Sequence, residues 1–184
     1  MSTPELIIRP VEERDRAVLW PILKSVVRAG DTYAIDREIS RDDLMHLWCD
    51  APAACLVAEK GEALLGTYYI KTNQAGGGSH VCNCGYITSP AARGQGVAEA
   101  MCRHSQVAAV KLGYLAMQFN CVVATNEGAI RLWTRLGYET VGRLPRVFRH
   151  PQQGFVDALV MYKWLEAHSA KKAKSVLPAT YTSP

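Results

Sequence analysis

Apolar residues follow two different spacings along this chain, and each spacing predicts a type of element. Residues 6–11 form a short β-like run that ends near a proline. Residues 12–28 place apolar side chains three and four positions apart, which predicts an amphipathic helix. Pro21 lies inside this stretch and predicts a kink or a break into two pieces. Ser40, followed three residues later by Asp43, predicts the start of a second, shorter helix.

The remaining chain continues with strand-like runs and helical spacings. A turn at Gly61 predicts a hairpin between the next two strands. We predict strands at residues 54–59, 63–71, 80–88, 114–124, 138–142 and 155–164, and helices at residues 95–112 and 127–136. Residues 143–154 are predicted to be a loop between the last two strands. The predicted element order is β-α-α-β-β-β-α-β-α-β-β.

This order has consequences for the architecture. Strands and helices alternate only in the second half of the chain, which predicts an α/β (α+β) fold with a mixed sheet and helices on both faces. A length of 184 residues predicts one domain. We place that domain at residues 1–165 and predict that residues 166–184, which are polar, basic and proline-punctuated, form a mobile tail.

Composition then narrows the classes of function. A chain that is 48% hydrophobic and 21% charged is typical of soluble globular proteins. No window is apolar enough to span a bilayer, and the N-terminus lacks a secretory signal, so we expect a cytoplasmic location and no membrane partner. The net charge of +4 suits a polyanionic cofactor, whereas no aromatic-interleaved basic run points to nucleic acid.

The six cysteines lie mostly inside apolar runs, which is typical of reduced core residues rather than a disulfide framework. His80, Cys82 and Cys84 alternate along one predicted strand and therefore share a face. Zinc normally takes four ligands, and no companion pair lies nearby in the sequence. We therefore predict packing roles for these cysteines and no metal site.

Residues 89–98 carry the most specific signal in the chain. They follow a predicted strand, open a helix and contain Gly94 and Gly96 in the sequence Arg-Gly-Gln-Gly. Glycines let a backbone approach a ligand closely, and a helix N-terminus offers unpaired N–H groups with a partial positive charge. The segment therefore predicts a seat for a phosphate or pyrophosphate. A plain tight turn before a helix is the alternative.

This turn resembles the pyrophosphate-binding motif of the GNAT superfamily of N-acetyltransferases, which bind acetyl-coenzyme A there. Residues 125–138 resemble the family's Asn-x-x-Ala-x-x-Leu-Tyr-x-x-x-Gly-Phe segment, and residues 157–163 resemble its last strand. The resemblance covers residues 5–165 in the family's order and spacing. It implies a mostly antiparallel sheet of six to seven strands, acetyl-CoA as co-substrate, and a homodimer as one assembly open to the chain.

The resemblance also assigns cofactor-binding residues. They are Ile87, Thr88, Arg93, Gly94, Gln95, Gly96, Val97, Ala98, Asn126 and Trp133. In the family pattern, the N–H groups of residues 95–98 hold the pyrophosphate, while Arg93 and Gly94 shape the turn. The backbone of Ile87 and Thr88 pairs with the pantetheine arm as an added strand, and an N–H there polarises the thioester carbonyl.

Two of these positions carry a further expectation. The side chain of Asn126 is expected to contact the cofactor, cap the following helix, or do both. Trp133 stands where the family often has a tyrosine that protonates the departing thiolate, and an indole N–H is not a useful acid. This departure leaves three alternatives open. Water protonates the thiolate, another residue such as Tyr86 or Tyr138 does so, or the activity is reduced.

A narrower resemblance concerns the acceptor. Asn83 and Asn120, together with Asn126, resemble asparagines in N-acetyltransferases that act on azetidine-2-carboxylate and proline-like amino acids. Both asparagines lie in otherwise apolar strands, where an unpaired buried amide costs about 1–3 kcal/mol. Either they bond to each other or to backbone where the strands splay, or they grip the substrate as the predicted catalytic pair.

We therefore expect an acetyl-CoA-dependent N-acetyltransferase that acts by direct attack of the amine of a small acceptor, such as an amino acid or its analogue. A protein N-terminal or lysine acetyltransferase is the alternative, as is a non-catalytic coenzyme A-binding module. In the predicted loop, Arg146, Arg149 and His150 are either solvated or form a wall of the acceptor site. A P-loop enzyme is disfavoured because the turn lacks a Gly-Lys-Ser/Thr ending.

Overall fold

The predicted order of elements is confirmed in a computed structural model, which describes residues 4–165. Residues 166–184, for which we predict a mobile tail, lie outside the described part. The elements are β1 (Leu6–Pro10), α1 (Arg16–Ala29), α2 (Arg41–Met45), β2 (Ala54–Lys60), β3 (Ala63–Thr72), β4 (Val81–Thr88), α3 (Val97–Lys111), β5 (Ala116–Val123), α4 (Glu127–Arg135), β6 (Glu139–His150) and β7 (Gly154–Trp164). As predicted, Ser40 caps α2, accepting a hydrogen bond from the Asp43 N–H at 3.1 Å.

The strands form one mixed sheet in the order β1-β2-β3-β4-β5-β7-β6. Every neighbouring pair is antiparallel except β4 and β5, which run parallel. These two strands pair only at Val81–Ala116 and Cys82–Met117, near the start of each. Beyond those residues they diverge, and this divergence opens a cleft in the middle of the sheet.

Two hydrophobic cores cover the two faces of this sheet. Because side chains alternate along a strand, Leu56 and Ala58 of β2 join one core, whereas Cys55 and Val57 join the other. Helices α3 and α4 pack on the first core, and α1 and α2 pack on the second. The predicted placement of helices on both faces is therefore confirmed.

Helix α1 runs unbroken through Pro21, so the prediction of two pieces is wrong. A proline inside a helix costs about 3 kcal/mol. Leu19 and Leu23, on either side of it, are both 0% exposed. Burying a leucine stabilises a fold by about 1.5–3 kcal/mol, so the two contacts offset the local cost.

The predicted loop at residues 143–154 is also wrong, because β6 continues to His150 and a short turn joins it to β7. The strand lies at the edge of the sheet and is mostly exposed, so it lacks the apolar alternation that marks buried strands. Pro145 falls in an irregularity between Leu144 and Phe148, where the ladder is interrupted and a proline costs little.

Candidate active site

Three adjoining cavities surround the cleft between β4 and β5. The central cavity, of about 400 Å³, lies between the strands and the loop that joins α1 to α2. The helical groove, of about 780 Å³, lies beside the N-terminus of α3 and one side of α4. The third cavity, of about 490 Å³, lies between the α1–α2 loop and the β6–β7 turn. Tyr86 and Asn126 line all three, so the three cavities adjoin one another.

The turn before α3 forms one end of the helical groove. Gly94 and Gly96 have φ angles of 75° and 76°, in the left-handed region that favours glycine. Nothing lies within 4 Å of a Cβ built on either residue, so both open into space. The first N–H groups of α3, including those of Val97 and Ala98, have no partner within their own helix. The local sequence thus builds a backbone cradle that suits a phosphate.

Gln95 does not fit the role that the resemblance implies. Its N–H donates to the Ala92 carbonyl at 3.3 Å, and its side chain donates to the Ala91 carbonyl at 2.8 Å. Gln95 is also absent from the residues that line the helical groove. The cradle is therefore built by Gly96, Val97 and Ala98, and Gln95 holds the preceding turn together.

Charged side chains line the rest of the helical groove. Arg93, Arg131 and Arg135 face it, together with the carboxylate of Glu99. Glu99 bonds to Arg103 and Arg135, and these two guanidinium groups hold the pKa of its carboxyl below the usual value. The excess of arginine gives the groove a positive surrounding that suits a polyanion.

The edge of β4 that faces the cleft carries the backbone groups of alternate residues. The Ser89 N–H donates to the Leu65 carbonyl at 2.8 Å, so odd-numbered residues of β4 face β3. Tyr86 and Thr88 consequently turn their N–H and C=O groups into the cleft. Ile87 faces β3 and its side chain is buried, so the backbone role predicted for Ile87 belongs to Tyr86.

Tyr33, in the α1–α2 loop, already contacts that edge. Its hydroxyl accepts a hydrogen bond from the Tyr86 N–H at 2.8 Å and donates one to the Tyr86 carbonyl at 2.7 Å. Burial raises the pKa of Tyr33, so the hydroxyl stays protonated at neutral pH. No sequence pattern marks Tyr33, because only the long-range fold brings this loop to β4.

An aromatic wall supports the central cavity on the α1–α2 side of the sheet. The ring of Trp48 meets Tyr33 and Tyr69 edge to face, with centroids 5.5 Å and 4.9 Å apart. Trp48 is fixed by its indole N–H, which donates to the Thr67 hydroxyl at 3.2 Å. The Tyr69 ring lies directly over Gly85, where a Cβ would stand 2.6 Å from Cε1. Only glycine therefore leaves room for this wall.

Asn83 and Asn120 both line the central cavity, but they do not bond to each other. Asn83 is 8% exposed; its Nδ2 donates to the Gln118 carbonyl at 2.8 Å and its Oδ1 accepts from the Tyr69 hydroxyl at 3.3 Å. Asn120 is exposed, and its Nδ2 donates to Asn73 Oδ1 at 2.7 Å. Each amide nitrogen therefore retains one N–H.

Asn126 and Trp133 occupy the α4 side of the cleft. The Oδ1 of Asn126 accepts a hydrogen bond from the Ala129 N–H at 3.2 Å, so the side chain caps α4. Asn126 also lines the cleft. The Trp133 ring packs against Phe119 and Tyr86, with centroids 5.2 Å and 5.1 Å away. Trp133 closes the wall between the central cavity and the helical groove, since it lines both.

Tyr86 and Tyr138 do not replace the missing tyrosine. The Tyr86 hydroxyl lies 2.6 Å from Ser105 Oγ, and the Tyr138 hydroxyl donates to the Met117 sulfur at 2.8 Å. Both hydroxyls are directed into the core, and burial raises the pKa of each well above its ordinary value. Neither Tyr86 nor Tyr138, the two residues considered as general acids, therefore directs its hydroxyl into the cleft.

The β6–β7 turn contributes to the third cavity. His150 is buried there, and its Nδ1 accepts hydrogen bonds from the N–H groups of Gln152 and Gln153 at 3.2 Å and 3.3 Å. His150 lines the cavity with the two glutamines, whereas Arg146 and Arg149 do not line it. Of the three basic residues predicted for a wall, only His150 is in a position to form one.

Within residues 4–165 the structure holds no group of three or more histidine, cysteine, aspartate or glutamate side chains arranged for a metal ion. No helix in the described part of the chain has the length and apolarity to cross a membrane.

Comparisons with known proteins agree with this geometry. Residues 23–138 match the model of the Acetyltransferase (GNAT) family. The chain is 31% identical over 151 residues to the N-acetyltransferase aca1 of Schizosaccharomyces pombe, an alignment that covers 73% of this chain and 72% of aca1.

Solved structures share the fold. A GCN5-related N-acetyltransferase from Kribbella flavida is 35% identical, with a TM-score of 0.82, and the match covers 87% of this chain and 98% of that one. The yncA acetyltransferase of Salmonella typhimurium, solved with acetyl-CoA, is 21% identical with a TM-score of 0.75, covering 89% and 96% of the two chains. At that lower identity, the second likeness concerns the fold alone.

The family match spans more than half of the chain, and the alignment with aca1 spans most of both proteins. The backbone cradle at α3 suits a phosphate, and the cleft opens where β4 diverges from β5. The chain therefore belongs to the GNAT family and is an N-acetyltransferase that uses acetyl-CoA.

Proposed function

We propose that the protein acetylates the amine of a small acceptor, an amino acid or amino-acid analogue, bound in the central cavity. The observation that carries this proposal is the small volume of the central cavity, which the α1–α2 loop borders on one side. The central cavity of about 400 Å³ falls at the small end of the range for ligand pockets. Its aromatic wall and the separate amide side chains of Asn83 and Asn120 suit a compact polar molecule.

The residues present fit acetyl-CoA. The N–H groups of Gly96, Val97 and Ala98 would hold the pyrophosphate. The cleft-facing backbone of Thr88, and that of Tyr86 once the Tyr33 hydroxyl has left it, would pair with the pantetheine arm. When bound, acetyl-CoA supplies an activated acetyl thioester whose carbonyl carbon accepts the amine and whose thiolate departs. Asn126 and Trp133 form the side of the cleft opposite β4.

With acetyl-CoA bound and the Tyr33 hydroxyl displaced, the Tyr86 N–H would donate to the thioester carbonyl oxygen as negative charge develops on it. Among the described residues that line the central cavity there is no carboxylate and no imidazole. Such a lining does not stabilise an ammonium group, so the acceptor amine reacts in its neutral form after losing a proton to water. The hydroxyls of Tyr33 and Tyr69 belong to this lining, but they are engaged with the Tyr86 backbone and with Asn83 Oδ1.

The covering of the cleft favours a small acceptor over a peptide. Asp31, Thr32 and Tyr33 of the α1–α2 loop line the third cavity together with His150 and Gln153 of the β6–β7 turn. These two segments border the third cavity on the side where an extended peptide would pass, so such a peptide would have to fit between them.

A thiol-release assay with acetyl-CoA tests the proposal against amino acids, polyamines, aminoglycosides and short peptides. We expect release with small amino acids, and a higher KM for them in Asn120→Ala, because the exposed asparagine borders the central cavity. Gln74→Ala, an exposed amide outside that lining, serves as the control. Release with peptides alone, unaffected by Asn120→Ala, would overturn the proposal.

A further inference from the structure

We propose that Lys71 binds the carboxylate of the acceptor, so that the substrates are small amines bearing an acid group, α-amino acids above all. This inference rests on the proposed function and specifies what the central cavity selects. It identifies a specificity residue to which the sequence analysis gives no role.

The first support is the placement of Lys71 on the sheet. Lys71 of β3 stands directly opposite Asn83 of β4, and Tyr69 stands opposite Gly85. Because side chains two residues apart share a face, the four positions form one patch facing the α1–α2 side. Directly opposed Cβ atoms lie about 5 Å apart, so the lysine and the Asn83 amide reach the same ligand group.

The second support is the direction of the lysine side chain. Its Nζ lies 5.5 Å from the centroid of the Tyr69 ring. Tyr69 is paired with Gly85, which directly precedes Tyr86 in the chain. The ammonium group is thus directed along the strand toward the backbone donor of the reaction. In an α-amino acid one carbon separates the amine from the carboxylate, so an acid group near Tyr69 places its amine near Tyr86.

The third support is electrostatic. Of the described residues that line the central cavity, Lys71 alone carries a charge at neutral pH. None of the ion pairs formed by the described residues includes it. An anion in this cavity therefore meets one positive charge and no competing carboxylate. Asn83 adds its remaining N–H as a neutral donor beside the ammonium.

The test compares matched acids and amides as acceptors: glycine with glycinamide, alanine with alaninamide, and proline with prolinamide. The kcat/KM of each is measured by thiol release for the wild type, Lys71→Met and Lys71→Arg. Lys24→Met is the matched control, because its ammonium also stacks on an aromatic ring, 5.7 Å from the Trp20 centroid on α1, but lies outside the cavity.

We expect the preference for acid over amide to fall about tenfold in Lys71→Met, the size of a charge-assisted hydrogen bond that is partly open to water. The preference should persist in Lys71→Arg and in Lys24→Met. Acids and amides differ in amine pKa, but the ratio of variant to wild type cancels that difference. Unchanged binding of acetyl-CoA by calorimetry verifies that Lys71→Met remains folded.

Two results would overturn the inference alone. One is an equal loss for acids and amides in Lys71→Met, and the other is a wild type that acetylates small amines without regard to the acid group. In both, acetylation of small acceptors keeps the proposed function intact. A wild type that acetylates only peptides would remove the proposed function and the inference together.

Discussion

The two ends of the cleft are built from different parts of the chain. In the helical groove, the backbone cradle comes from one continuous stretch, residues 93–98, whose key feature is two glycines with positive φ, and side chains of α4 line the rest. The central cavity instead draws side chains from the α1–α2 loop, β3, β4, β5 and α4. In the function that we propose, the acetyl donor would therefore be bound mainly by backbone, whereas the acceptor would be recognised by side chains assembled over long distances.

This difference has a functional meaning. A backbone cradle depends on conformation and tolerates varied side chains, so it suits a donor that does not change. Side chains on a sheet face can be exchanged without altering the fold, so they suit an acceptor that differs between proteins. If the two ends are separable, a substitution at one end should change the kinetics of one substrate only.

The largest expected effect is at the cradle. Gly96→Ala places a Cβ in the open space where a ligand would approach the backbone, which obstructs binding. It also holds alanine in a left-handed conformation, which costs about 1–2 kcal/mol of stability. We expect the Kd of acetyl-CoA, measured by calorimetry, to rise by roughly thirtyfold. Gly113→Ala is the control, since Gly113 has a φ of 90° and equally open space at the far end of α3. Equal weakening by both variants would mean that strain alone, without contact to the donor, explains the result.

The next largest effect is at the aromatic wall. Gly85→Ala drives a Cβ to 2.6 Å from the Tyr69 ring, so the ring must move. Overpacking of this kind costs about 1–3 kcal/mol of unfolding free energy, and the acceptor KM should rise about tenfold. The affinity for acetyl-CoA should stay unchanged. Gly142→Ala, a strand glycine whose added Cβ would be 3.7 Å from Val160, should alter neither quantity.

A smaller effect is expected at the junction of the two ends. Tyr33→Phe removes the hydroxyl that bonds to the N–H and C=O of Tyr86. The α1–α2 loop is then held less tightly, and the Tyr86 N–H becomes free to donate to the thioester. We expect the acceptor KM to rise about threefold to fivefold, as for loss of one net hydrogen bond, while the affinity for acetyl-CoA holds or improves. Tyr162→Phe, outside all three cavities, is the control. A marked loss of donor affinity would assign Tyr33 to the donor end.

The smallest expected effect is a change in stability with pH, and it arises at His104, on the face of the sheet that α3 covers. Burial, followed by the charge of Lys111, holds the pKa of His104 on α3 below 6.5, and its Nδ1 lies 2.7 Å from the Tyr68 hydroxyl. Since the folded chain binds this proton less readily than the unfolded chain, the stability due to His104 is present above pH 6.5 and lost as pH falls.

The melting temperature should therefore fall less between about pH 7 and about pH 5 in His104→Gln than in the wild type. The same acidification should leave the affinity for acetyl-CoA largely intact, because Glu99 keeps a lowered pKa beside its arginine partners. A pH response that is identical in both proteins would contradict the assignment to His104.

The sequence predicts these two ends unequally. The element order, the mixed sheet and the turn at Gly94 and Gly96 follow from local spacing, because helices, strands and glycine turns are local structures. The continuation of β6 could not be predicted, since an exposed edge strand has no apolar alternation. Nor could Tyr33 or Lys71, which acquire meaning only when β3, β4 and the α1–α2 loop come together.

Asn83 and Asn120 are an intermediate case. Both positions stand out in the sequence because they are polar residues within apolar strands, and both line the central cavity. Their actual partners, the Gln118 carbonyl for Asn83 and the Asn73 side chain for Asn120, depend on the register of β5 against its neighbours. That register is set by the divergence of β4 and β5, which no local pattern specifies.

A crystal structure with coenzyme A and an N-acetylated amino acid tests the proposed division of the cleft most directly. We expect the pyrophosphate on the N–H groups of residues 96–98, the pantetheine along Tyr86 and Thr88, and the amino-acid carboxylate facing Lys71. Coenzyme A that does not follow β4, or a product bound outside the central cavity, would contradict the division of the cleft into a backbone end and a side-chain end.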